Sequence, residues 1–219
     1  LKIKKILFKG FIEGCHIIEN KSCDSFFQIK INKKNSQLLY FENESLKFEQ
    51  NFNFGSDIVI NDISQVTSLK IDMLDRILNN ITFNQNESKD ELIEKDLFQN
   101  ENYIKIKKKL LFDVAEARIE ELLEIIIIKN INLFSFNKKQ KEIFIKIKDK
   151  SHLKFFENIY KTLLLEKNYL KVEFVENITN KDLINNANKL VLYGWKKEAI
   201  PVNRVKKSLI ARFFHALFD

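Results

Sequence analysis

SFFQIKI at residues 25–31, SQLLYFE at 36–42 and SLKFEQNFNF at 45–54 follow one another with only the polar links NKKN and ENES between them. Each stretch alternates apolar and polar side chains, and a period of two is that of a strand with one face in a core. Working outward, apolar residues at Ile63, Val66, Ile71, Leu74, Ile77 and Leu78 predict a helix over 63–78. The polar run NNITFNQNESKDELIEKD reads as a loop, and YIKIKKKLLF as a strand edging into a turn. LLFDVAEARIEELLEIIIIKN is the strongest helix pattern, with Leu111, Ala115, Arg118, Leu122, Ile125 and Ile126 at spacings of three and four. Glu116 to Glu120 and Arg118 to Glu121 sit at pairing distance along it. EIFIKIK then reads as strand, HLKFFENIYKTLLLEK as helix, LKVEFVE as strand and KDLINNANKLVLYGW as helix. Strands first and alternating elements after them predict a layered α/β fold.

Composition narrows the chemistry. At 219 residues, 45% hydrophobic, the chain can bury one medium core or two small ones. A net charge of +7 favours an anionic partner, whether nucleic acid, acidic lipid or acidic peptide. Cys15 and Cys23 form no CxxC pair, so neither a zinc site nor a disulfide framework is expected, and a reducing, cytoplasmic setting fits. His16, His152 and His215 lie far apart and in no catalytic or metal-binding spacing. A phosphate cradle needs glycines to let backbone N–H groups approach the oxygens, and the four here are scattered at Gly10, Gly14, Gly55 and Gly194. The expectation is a protein that is not an enzyme. No apolar run reaches the ~20 residues of a membrane-spanning helix. Opening on Leu1 rather than Met, the chain reads as trimmed or as a fragment.

Several strings, in order, resemble the second half of FtsA, an actin-like family of bacterial cell-division proteins. FNFGSDIVINDIS at 52–64 is similar to that family's IPIGGNHITNDIA, keeping Gly55, Asn61, Asp62 and Ile63. IDMLDRIL resembles LEEAERIK and keeps Arg76; DVAEARIEELLEII resembles EIIEPRVEEIFELI and keeps Glu116, Arg118, Glu120 and Glu121; ANKLVLYGW resembles AVGLLLYG. The resemblance covers roughly residues 30 to 219. It implies an actin-like (RNase H-like) layered α/β unit with an inserted α+β subdomain and a terminal amphipathic helix. The corresponding divisions are 1–62 and 126–195 for the two parts of the actin-like subdomain, 63–125 for an inserted partner-binding subdomain, and 196–219 for a linker and membrane-targeting helix.

ATP is the family's cofactor, and here its motifs are degenerate, so none is expected. The family's second phosphate loop, DIGGGTTD, falls on Lys30, Ile31, Asn32, Lys33, Lys34, Asn35, Ser36 and Gln37, with every glycine gone and Lys30 where an acidic residue would face metal and water. The nucleoside-contacting lysine becomes Leu78, and a later Gly-Gly falls near Ile147 and Lys148. Side chains there occupy space that nucleotide atoms would need. The half of the family that carries the first phosphate loop has no counterpart in this sequence.

The resemblance also implies two partners. The acidic, apolar carboxy-terminal peptide of the tubulin-like division protein FtsZ would meet Arg118, Glu121 and the cationic run Lys105, Lys107, Lys108 and Lys109, since a guanidinium forks onto a carboxylate and ammonium groups reinforce its capture. Anionic lipids of the inner membrane, at its cytoplasmic face and the division site, would meet RVKKSLIARFFHALFD at 204–219. On a helix, Val205, Leu209, Ile210, Phe213, Phe214, Leu217 and Phe218 share one broad face, with Arg204, Lys206, Lys207 and Arg212 as cations. Insertion is worth ~1.5–3 kcal/mol per large side chain fully buried and about 1 kcal/mol per cation near anionic lipid. Self-association is a further expectation, and nucleic acid is not among the expected partners. The function so implied is tethering of FtsZ filaments to the membrane. The alternatives are a basic nucleic-acid-binding module, a working actin-like ATPase whose motifs lie elsewhere in the alignment, and a pilus-assembly relative of the same fold.

Overall fold

The computed structural model describes residues 6–81, 91–99, 101–134, 136, 142–148, 153–167 and 171–195. Five strands form one sheet in the order β3-β2-β1-β4-β5. The first three are β1 (Phe26–Ile31), β2 (Ser36–Glu42) and β3 (Ser45–Phe52), and they pair antiparallel through the two short polar links. β4 (Glu142–Ile147) lies parallel to β1 on its other side, and β5 (Lys171–Phe174) lies parallel to β4. An antiparallel meander extended by parallel crossover strands is the mixed α/β sheet expected of an actin-like (RNase H-like) unit.

Helices cover both faces. α2 (Ser56–Thr67), α3 (Ile71–Asn80), α4 (Lys108–Leu123) and α5 (Leu153–Glu166) belong to the side on which Phe27, Ile29, Ile31, Tyr40, Ile143 and Ile145 are buried. α1 (Lys9–Lys21) and α6 (Asn180–Tyr193) pack on the other side, over Phe26, Leu39, Phe41 and Phe144. α1 was not foreseen, because the patterns before residue 25 were read with the strands. It lies close to β2 because Gly14 carries no side chain: a Cβ there would stand 1.9 Å from the Phe41 ring.

The helix expected over 63–78 is two helices. Ser68 adopts a left-handed conformation (φ 56°), and the Ser64 hydroxyl donates to Leu69 O at 2.6 Å, closing a turn between α2 and α3. The rotation puts Ile63, Leu74, Ile77 and Leu78 in the core and leaves Val66 and Ile71 exposed. YIKIKKKLLF is not a strand along its length. It makes one antiparallel bridge, Lys107 to Leu92, and α4 starts at the next residue. α4 runs on into a π-helical turn, Glu124–Ile128, which buries Ile126 and Ile127 and turns Ile125 outward. Residues from both sides of the expected divisions share one core; the 62/63 position lies inside α2 and the 125/126 position inside the π turn.

Gly55 has a packing role. Its Cβ would stand 2.0 Å from Asn32 O, where the β1–β2 turn meets the start of α2. The turn's carbonyls cap that helix: Ser56 N–H donates to Asn32 O and Asp57 N–H to Lys33 O, each at 3.0 Å.

Candidate functional site

Strand alternation sends Gln28, Lys30 and Lys146 to the α1 side of the sheet, and the parallel register sets Lys30 directly beside Lys146. Like charges on adjacent strands repel unless something lies between them. Glu13, from α1, does: its Oε1 accepts from Lys146 Nζ at 2.9 Å and its Oε2 pairs with Lys30 Nζ. All three are nearly sealed from water, with Glu13 and Lys146 each 3% and Lys30 6% exposed. Burial pushes the Glu13 carboxyl up, but the hydrogen bonds and charges of Lys30 and Lys146 outweigh it and hold the group below its ordinary value. Burial brings Lys30 below the usual lysine value, with Glu13 opposing it.

A cleft of about 440 Å³ opens onto this cluster between α1 and the connection from β5 to α6. Glu13, Lys146 and Gln28 are in its wall, with Lys30 behind them. Gln28 is 1% exposed, and its Oε1 has no hydrogen-bond partner among the described residues. At the rim, Glu173 pairs with Lys21 and, at 3.3 Å, with Lys171, while Asp182 accepts from the Thr179 hydroxyl at 2.6 Å. Sequence reading singled out Lys30 alone. The signal for the rest was a charge in the middle of two apolar strands, FQIKI and IFIKI, and in an apolar helix, GFIEGCHII.

The degenerate nucleotide positions are occupied as follows. Leu78 and Ile147 are core residues, Lys148 is exposed, and the turn at 32–35 directs carbonyls into α2. At the position that the resemblance aligns with an acidic residue, the structure has Lys30, an ammonium buried on Glu13 and a poor partner for a divalent cation.

The residues expected to hold an acidic peptide divide into two places. Arg118 pairs with Asp62 of α2 and, at 2.6 Å, with Glu121 on its own helix, beside a hollow of about 410 Å³ that Gln65 and Val66 also line. Lys105, Lys107 and Lys109 line a second hollow of about 350 Å³ with Ile106, Leu110 and Asp113. Lys109 pairs with Asp113 at 2.9 Å, and Lys108 turns to Glu91 at 2.8 Å. Nine residues at 100° each set Lys109 and Arg118 on opposite sides of α4, about 13 Å apart along it. Glu116 and Glu120, read as pairing along the helix, are like charges: burial first, then Asp113, Glu166 and Glu120, hold the Glu116 carboxyl above its ordinary value.

The residues expected to meet lipid (Arg204, Val205, Lys206, Lys207, Leu209, Ile210, Arg212, Phe213, Phe214, Leu217 and Phe218) lie outside the described residues, as do His152 and His215. Trp195 is the last residue described; it is buried against the α1 side, and its indole N–H donates to Glu44 O at 3.0 Å. Cys15 and Cys23 form no disulfide with each other. Among the described residues no helix is long and apolar enough to cross a membrane, and no group of His, Cys, Asp and Glu is arranged to hold a metal ion.

No family model and no curated protein matches the sequence. Among solved structures, the chain is similar to ParM of Bacillus thuringiensis with ADP (TM-score 0.47, 11% identity, 76% of this chain and 48% of that one). It is likewise similar to the ethanolamine utilization protein EutJ of Carboxydothermus hydrogenoformans (0.46, 10%, 74% and 48%). A third similar structure is MreB 5 of Spiroplasma citri bound to AMPPNP (0.44, 12%, 87% and 59%). The chain thus spans about half the length of these proteins. The fold assignment stands on strand order and pairing direction.

Proposed function

We propose that this chain is a non-enzymatic, actin-like scaffold of the bacterial division ring, joining FtsZ tails to the cytoplasmic face of the inner membrane through Arg204–Asp219. The observation that carries the non-enzymatic half is the buried Glu13–Lys30–Lys146 cluster. Lys30 is where the resemblance aligns an acidic residue that would direct metal and water, and an ammonium there repels a divalent cation. The tether half is supported by the pattern of the last sixteen residues, broad Phe-rich face and flanking cations, which suits an interfacial helix. For the peptide, the two hollows on α4 offer separate stations: a carboxylate at Lys105, Lys107 and Lys109, and apolar contact with Val66 and Val114 beside Arg118.

Flotation on phosphatidylglycerol-containing vesicles tests the reading. The full chain is expected to float and a chain ending at Pro201 to stay at the bottom; equal flotation of the two removes the tether. Thermal stabilisation by magnesium ATP would replace this reading with the working ATPase. Salt-sensitive binding to nucleic acid that survives removal of 202–219 would replace it with the basic module.

A further inference from the structure

Two ammonium groups share one carboxylate at the floor of the α1 cleft, so the cluster carries an excess positive charge in a nearly water-free place. Each ammonium has three N–H donors, and Glu13 is the only acceptor either one has among the described residues. Lys146 is in the cleft wall, so its remaining donors are reachable from the cleft. In the same wall Gln28 Oε1 is an acceptor with no donor among the described residues. Lys146 with spare donors and Gln28 with a spare acceptor, both buried and both in the wall of one cavity, describe a ligand by its complement.

We infer that the cleft between α1 and the β5–α6 connection binds a small hydroxy-carboxylate, with the carboxylate on Lys146, backed by Lys30, and the hydroxyl donating to Gln28 Oε1. The charge selects a monoanion: one negative charge neutralises two ammoniums and one carboxylate, whereas a doubly charged phosphate ester would leave the floor negative. Lys146 stands level with Lys30, two residues beyond Gln28 on the same face of the sheet and about 6.6 Å further in the strand direction, so the recognition points Lys146 and Gln28 suit a ligand of about three or four carbons. The rim does not compete for the anion. The Glu173 carboxylate is held by Lys21 and Lys171, and Asp182 by the Thr179 hydroxyl. Glu176, also in the lining, is exposed and turns excess negative charge away from the mouth. The inference is independent of the membrane segment, and a chain ending at Pro201 should keep it.

Thermal-shift and calorimetric titrations of the full chain with glycerate, propionate and inorganic phosphate at constant ionic strength test it. Glycerate is expected to bind saturably and raise Tm, propionate to bind about tenfold more weakly for want of the hydroxyl, and phosphate more weakly still. Lys146→Met keeps a neutral Lys30–Glu13 pair and should abolish saturable binding. Gln28→Leu should keep carboxylate binding and erase the preference for glycerate. Glu13→Gln frees both ammoniums, and glycerate should raise its Tm by more than it raises that of the unmodified chain. If Glu13→Gln does not fold, the other two variants decide. Absence of saturable stabilisation by glycerate, an equal effect in Lys146→Met, or phosphate binding more tightly than glycerate would each overturn the assignment.

Discussion

The two faces of the sheet are made by the same strands and differ in kind. Toward α2, α4 and α5 the strands present Phe27, Ile29, Ile31, Ile143, Ile145 and Ile147, an unbroken apolar layer. Toward α1 and α6 they begin the same way, with Phe26 and Phe144 edge to face at 5.2 Å, and then turn to Gln28, Lys30 and Lys146. Charge is buried at nearly the same depth as hydrocarbon. Removing apolar groups from water stabilises a fold, while removing ions from water costs free energy that ion pairing only partly offsets. The α2 side is therefore the side that holds the protein together. The α1 side carries a charged arrangement that stability alone does not call for.

The largest effect should come from taking the one carboxylate out of the charged face. Glu13→Leu leaves two ammoniums buried without an acceptor and should cost about 3–5 kcal/mol in urea unfolding. Replacing all three charges together, Glu13→Leu with Lys30→Met and Lys146→Met, should be neutral or stabilising by about 1–4 kcal/mol. A triple variant as unstable as Glu13→Leu would mean that the charges do hold the fold. Acid titration separates the same proteins. With the Glu13 carboxyl below its unfolded value, its contribution is complete above pH about 4.5 and is lost as pH falls through the folded value. Lys30 acts in the opposite range. Its folded value lies below the unfolded 10.5, so stability should rise with pH through that window. Both dependences should vanish in the triple variant.

On the apolar face, Ile63→Ala should cost about 2–5 kcal/mol, because Ile63 is fully buried and its neighbours can close the hole only in part. Gly55→Ala, at the joint of turn and helix, should cost about 1–3 kcal/mol, since the atom it meets is backbone oxygen and must move with the turn. Arg118→Ala should cost less, about 1 kcal/mol or under, because its pairs with Asp62 and Glu121 are partly open to water. The smallest effect is expected at Glu116→Gln: a slight rise in Tm at neutral pH. The Glu116 carboxyl sits above its unfolded value, so the gain should fade as pH falls through that window toward about 4.5.

Much of the fold was legible because strands and helices announce themselves by period. The three meander strands, α4, α5 and α6 have their patterns in the local sequence. α1 was missed because its buried residues include Gly10, Glu13 and Gly14, which break the apolar stripe a helix reading looks for. The break between α2 and α3 was missed because Ser64, Thr67 and Ser68 are compatible with a helix, and only the left-handed turn at Ser68 shows where the chain bends. Of the site, Lys30 stood out as a charge in an apolar strand, but its meaning depended on Glu13, 17 positions earlier, and Lys146, 116 positions later. Two long-range contacts were equally illegible: Gly55 seats α2 on the β1–β2 turn, and Asp62 reaches Arg118 across 56 positions.

What the sequence determined by itself is the alternation that makes strands, the three-four spacing that makes helices, and an excess of positive charge. These are properties of neighbours along the chain, where local sterics and the side-chain period act. Tertiary structure alone decided that two lysines from different strands would stand side by side with one glutamate between them. Register and crossover direction bring such residues together, and the free energy of a buried charge depends on what has been brought to it.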